Sequence, residues 1–155
     1  MRRTIERALL IVALGTGLGL LANKVSPRGI PYITPPKKPI KAEEFLTLDQ
    51  AKELWSSGAA FFLDAREPED FAAGHIGNAF SLPAASFEQH FGEIAPMLAP
   101  DTAIVVYCDG TECELSHRVA DKLHQLDYKN VRILLNGWTV WHGAGLPTET
   151  GAKKQ

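Results

Sequence analysis

Residues 42–150 predict an open, mainly parallel α/β sheet of four to five strands with helices on both faces. Three observations carry this expectation. The run TAIVVY at 102–107 offers apolar side chains to both faces at once, which suits a strand in the middle of a sheet covered on each side. Just downstream, residues 115–126 place Leu115, Val119, Leu123 and Leu126 on one stripe of an amphipathic helix. Strand-type and helix-type signals also alternate along the whole stretch, the pattern of β-α units in a parallel sheet.

The elements follow in order. Thr47 and Gln50 have capping-box spacing before Ala51, Leu54 and Trp55, and Gly58 closes that helix. The apolar run 60–64 reads as a buried strand, and Pro68 opens a helical turn over 68–73. A short strand is expected over 79–82. Weak helical signals run over 87–98, broken by Pro96 and Pro100. After the central strand and the amphipathic helix, 130–135 reads as the last strand. Residues 137–143 read as a last short helix, stopped by Gly145 and Pro147. In sheets of this kind function sits at the carboxyl ends of the strands, where Asp64 and Cys108 both fall.

Upstream, the chain changes character. Residues 1–41 hold eight Lys/Arg against one acid, a net charge of +7, whereas residues 42–155 hold eight against seventeen, a net charge of −9. So acidic a globular part is a poor ligand for phosphate backbones, which excludes nucleic acid as a partner. Residues 1–23 form a hydrophobic anchor or signal segment. Its uncharged stretch 8–22 follows Arg2, Arg3 and Arg7 and would span about 22 Å as a helix, short of the roughly 30 Å hydrocarbon slab. No small-x-small cleavage site is obvious, which favours an uncleaved anchor. The expected setting is a bacterial-type inner membrane with a single pass, entered through residues 8–22. The signal-like pattern puts the domain on the periplasmic side, although five basic residues follow the segment and blur the charge rule. Residues 24–41 carry half of the ten prolines and read as a semi-rigid basic linker; residues 151–155 read as a disordered tail.

Cys108 ends the central strand, and residues 109–114 must curl around its sulfur before the next helix. Loop amides and the positive end of that helix can stabilise a thiolate or persulfide without any cation, and Gly110 makes the curl cheap. Spacing alone leaves a nucleophile and a structural buried thiol equally open. The motifs LDAR (63–66), EPEDF (67–71), GHIGNA (74–79) and LP (82–83), then YC (107–108), ADKL (120–123), YKNV (128–131), GW (137–138), Trp141 and AGLP (144–147), resemble the signatures of rhodanese-like domains. The resemblance spans residues 42–147. It implies a single rhodanese-like domain and a sulfurtransferase that carries sulfane sulfur as a persulfide on Cys108 between a donor and an acceptor, either small molecules or protein thiols.

It further implies a cradle from Asp109, Gly110, Thr111, Glu112 and Glu114, with Asp64 and Arg66 in support and His75 fixing a loop. Active members place a cation five positions after the nucleophile; here that position is Cys113, and Glu114 follows. The stretch from the cysteine to Tyr128 is also about two residues longer than usual. Three loop acids disfavour the thiolate and repel a dianionic donor such as thiosulfate. An uncharged or protein-bound donor fits better. The related phosphatases close their loop with Arg, whereas this chain has Glu114 there and Arg118 four residues on, which argues against phosphate-ester hydrolysis. Cys113 is the candidate resolving thiol, able to leave a disulfide with Cys108. A silent interaction module and a thiol–disulfide redox protein remain the competing classes. His90, His117, His124 and His142 show no ligand spacing, so neither metal nor cofactor is expected, and Trp138 and Trp141 read as core packing. The oligomeric state is not legible.

Overall fold

The structure is a computed structural model that describes residues 2–26, 45–110 and 114–151. It divides into two compact units, Met1–Pro39 and Ile40–Gln155. In the first unit, α1 (Arg2–Val25) is a single helix of 24 residues, about 36 Å long. The span exceeds the uncharged stretch because the flanking charged residues also adopt helical geometry. Its part Ile5–Val25 is long and apolar enough to cross a membrane, a test that signal sequences pass as well. The Thr16 hydroxyl donates to Val12 O (2.7 Å), so this polar group near the middle of the helix is satisfied within it. Most of the expected linker, residues 27–41, lies outside the described residues.

The second unit is built on a five-stranded sheet in the order β1-β6-β5-β2-β4, every neighbouring pair parallel. The strands are β1 (Phe45–Leu46), β2 (Phe61–Asp64), β4 (Phe80–Ser81), β5 (Ile104–Tyr107) and β6 (Val131–Leu134). β5 lies in the middle and is buried over its whole length, as its two-faced apolar run requires. Alternate residues feed opposite layers. Ile104 and Val106 join Leu63, Phe87, Val119 and Leu123 on one face. Val105 and Tyr107 join Phe62, Phe71, Leu134 and Trp141 on the other. The first layer is covered by α4 (Phe87–Ile94) and α5 (Glu114–Gln125), the second by α2 (Leu48–Ser56), α3 (Pro68–Ala73) and α6 (Gly137–Gly143).

Local chemistry explains the boundaries. The Thr47 side chain accepts from Gln50 N while the Gln50 side chain accepts from Thr47 N, so both partners of the box satisfy amides that a helix start leaves orphaned. Pro68 occupies the first turn of α3, where a missing amide costs nothing. The stripe expected over 115–126 is shorter by one member. α5 ends at Gln125, Asp127 turns to positive φ, and Leu126 is half exposed with its amide returned to the carbonyls of Lys122 and Leu123. Three strands escape the sequence pattern, the edge strand β1 and a separate pair. β3 (His75–Ile76) and β7 (Thr148–Glu149) pair antiparallel, clasping the C-terminal segment against the loop after α3. The amide of Gly151 donates to Ala72 O (2.7 Å), so residue 151 is held by the domain rather than belonging to a tail. Residues 152–155 lie outside the described residues.

Candidate active site

Parallel pairing aligns Asp64 with Tyr107 and Tyr107 with Leu134, so β2, β5 and β6 end on one edge. Cys108 follows directly, its side chain fully buried among the residues that α4 and α5 cover. Its sulfur is engaged in a disulfide. Cys113, the chain's other cysteine, lies outside the described residues, as do Thr111 and Glu112. The buried Ser116 hydroxyl sits 3.3 Å from Cys108 Sγ. A disulfide sulfur carries no proton, so the hydroxyl is the donor. Glu114 starts α5 rather than belonging to the loop, where its carboxylate complements the helix dipole. Arg118, also on α5, is exposed.

The near half of the loop is tied to the segment that opens α6. The Trp138 amide donates to Cys108 O (3.1 Å). Gly110, at φ +89°, turns its N–H to Asn136 Oδ1 (2.9 Å) and to Asp109 Oδ1 (3.0 Å). The Thr139 hydroxyl donates to the same Asp109 oxygen. Of the amides expected to cradle the sulfur, that of Gly110 is therefore spent elsewhere. Asp109 is likewise an acceptor for Thr139 and Gly110 before it is a bare charge beside the sulfur. Such close approach needs Gly137. A Cβ there would lie 2.6 Å from Tyr107 Cβ, a distance that side chains do not tolerate.

Asp64 and Arg66 form a buried pair one strand away. Arg66 Nη2 and Nε reach the Asp64 carboxylate at 2.6 and 3.0 Å, Nη2 also donates to Gly74 O (2.6 Å), and the guanidinium lies 4.8 Å over the Trp138 ring. Burial works against the Arg66 charge, but the hydrogen bond and charge of Asp64 more than offset it and hold the group above its ordinary range. Tyr107 completes the network. Its hydroxyl accepts from Ile76 N (3.1 Å), and burial first, then the nearby Asp64 charge, pushes the phenol far above its ordinary range. The geometry commits both sequence candidates to joining β2, the loop after α3, β5 and α6.

His75 is buried and stacked on Phe71 at 3.7 Å between ring centroids, and its Nδ1–H donates to Phe71 O (2.8 Å). Its Nε2 faces Glu149 at 3.6 Å across the β3–β7 pair. Trp141 is buried against Trp55 and Phe62 and donates to Pro147 O (2.9 Å), while the half-buried Trp138 serves as the floor under Arg66. Sequence reasoning missed Ser116, Asn136 and Thr139. Ser116 carried a signal, being a small polar residue on the otherwise apolar inner face of α5. Asn136 and Thr139 carried none, because their partners lie 26 and 30 residues away.

A rhodanese-like domain model matches residues 47–144. The chain is 37% identical over 106 residues to the thiosulfate sulfurtransferase GlpE of Haemophilus influenzae, covering 68% of this chain and 93% of that protein. It is 30% identical over 110 residues to the HTH-type transcriptional regulator Rv0324 of Mycobacterium tuberculosis, covering 71% of this chain but 46% of the regulator, so the chain spans less than half of that relative. Among solved structures, the BH2092 protein of Bacillus halodurans superposes with a TM-score of 0.61 at 22% identity, covering 70% of this chain and 78% of that one, which speaks to the fold alone.

Proposed function

Since the chain belongs to the rhodanese-like domain family, we propose that it is a sulfurtransferase-like enzyme that carries sulfane sulfur on Cys108. The observation that carries this reading is a buried cysteine sulfur at the C-terminal edge of the central strand with a hydroxyl donor 3.3 Å away. The Cys108 thiolate attacks the outer sulfur of a persulfide or polysulfide donor; that sulfur–sulfur bond breaks, and the remainder leaves as a thiolate. An acceptor nucleophile then takes the terminal sulfur and regenerates the Cys108 thiolate. A donor that is uncharged or protein-bound suits a loop rich in acids. Ser116 donates to the sulfur anion in each thiolate state, and Asp64, Arg66 and His75 hold the surrounding loops.

Cys113 serves as the resolving thiol. Its thiolate attacks the inner sulfur of the persulfide, hydrosulfide leaves, and a Cys108–Cys113 disulfide remains until a dithiol supplies two electrons. The disulfide at Cys108 favours this step, and equally favours a second reading as a thiol–disulfide redox protein. Intact-mass analysis of the reduced protein after polysulfide treatment separates them. Transfer requires a gain of one sulfur that is stable in Cys113→Ser and absent in Cys108→Ser. Disulfide formation with no sulfur-loaded species in either the parent or Cys113→Ser supports the redox reading and removes transfer. The α1 helix acts as a single-pass anchor, with the domain on the periplasmic side.

A further inference from the structure

The contacts between the Cys108 loop and the start of α6 have no part in forming the sheet, and they converge on three residues of the short stretch 136–139. Trp138 N holds the Cys108 carbonyl, Asn136 Oδ1 holds the Gly110 amide, and Thr139 Oγ1 holds the Asp109 carboxylate. Asn136 does so from a left-handed backbone, φ 50° and ψ 34°, a conformation that Asn tolerates better than most residues with a side chain. Gly110 takes positive φ on the other side, so both ends of the contact are set in uncommon backbone states that define one peptide orientation. We propose that Asn136 and Thr139 are positioning residues for Cys108, forming a latch with Asp109 and Gly110 that fixes the backbone from which the sulfur-bearing loop departs.

The latch rests on the reading of Cys108 as nucleophile and deepens it. A sulfur anion stabilised by backbone dipoles is sensitive to dipole orientation, because a rotated peptide turns a donor into an acceptor. A cation-stabilised thiolate would tolerate such rotation better. The same geometry gives Asp109 a use. Its carboxylate is spent on Thr139 and Gly110, which lowers its capacity to repel an incoming anion.

Left-handed backbone makes the test clean, since Asn136→Gly removes the carboxamide while accepting the native φ more readily than Asn does. Thr139→Val removes the hydroxyl at nearly constant shape, and Thr139→Ser restores it. The full chain in detergent, reduced with a dithiol, is alkylated over a pH series, and the Cys108 peptide is resolved by mass. Expected are an upward shift of about one unit in the alkylation midpoint and a roughly tenfold slower rate at neutral pH for Asn136→Gly and Thr139→Val. Thr139→Ser should recover the parent profile, and hydrogen exchange at Gly110 should accelerate in Asn136→Gly. An unchanged Cys108 profile in both variants, with Gly110 exchange raised and the parent thiol reactive, overturns the latch. A parent Cys108 inert at every pH instead overturns the nucleophile reading beneath it.

Discussion

Tyr107 sets an alkaline limit for the fold. Its phenol is protonated in the native state well above the ordinary value of 10, because it is buried and faces the Asp64 carboxylate. The unfolded chain releases that proton near pH 10. Above this pH the native state binds more protons than the unfolded state, so stability falls as pH rises, by about 1.4 kcal/mol per unit from this group. Tyr107→Phe should flatten that alkaline decline in denaturant titrations. It should also cost about 1–3 kcal/mol at neutral pH, by leaving the buried Ile76 amide short of a partner. Ser116 is the second residue with a sharp expectation. Ser116→Ala removes the donor to Cys108 Sγ and should raise the thiol midpoint by roughly one unit without lowering thermal stability by more than a few degrees. The position of Cys108 at the end of a buried strand was legible because a strand, a sulfur and a glycine-bearing turn follow one another in the chain. The hydroxyl beside it was not, because Ser116 lies eight residues on, across the loop and on the next helix.

At the scale of elements, the parallel sheet and most helices were legible because each is a local pattern: a capping box at Thr47, a proline at the start of α3, an apolar run at β5. The two-residue strands β1, β3 and β7 are too short to show a period, and β3 and β7 exist only because the chain returns after some seventy residues to pair His75 with Glu149. The Asp64–Arg66 pair was legible as loop support, but its joining of four elements was not. Its strength is open to measurement: Arg66→Ala leaves a buried carboxylate uncompensated and should cost about 3–5 kcal/mol in chemical denaturation. Gly137 reports on the contact of α6 with β5. A methyl group there must push α6 away from Tyr107, so Gly137→Ala should destabilise by about 1–3 kcal/mol and slow Cys108 alkylation together.

At the scale of the whole molecule, a basic N-terminal quarter precedes an acidic rhodanese-like domain, and α1 is long and apolar enough to cross a membrane. Membranes washed at alkaline pH should retain the full chain and release a variant lacking residues 2–25. The proposed sulfur transfer requires reduced Cys108 to be a thiolate at the end of β5, stabilised by the Ser116 hydroxyl and the dipole of α5 and not by Arg66, which is committed to Asp64, Gly74 and Trp138. The direct measurement is the ultraviolet absorbance of the thiolate against pH in Cys113→Ser, whose one remaining thiol is Cys108. A midpoint clearly below the ordinary value of about 8.5 is expected. A midpoint at or above it would contradict the claim.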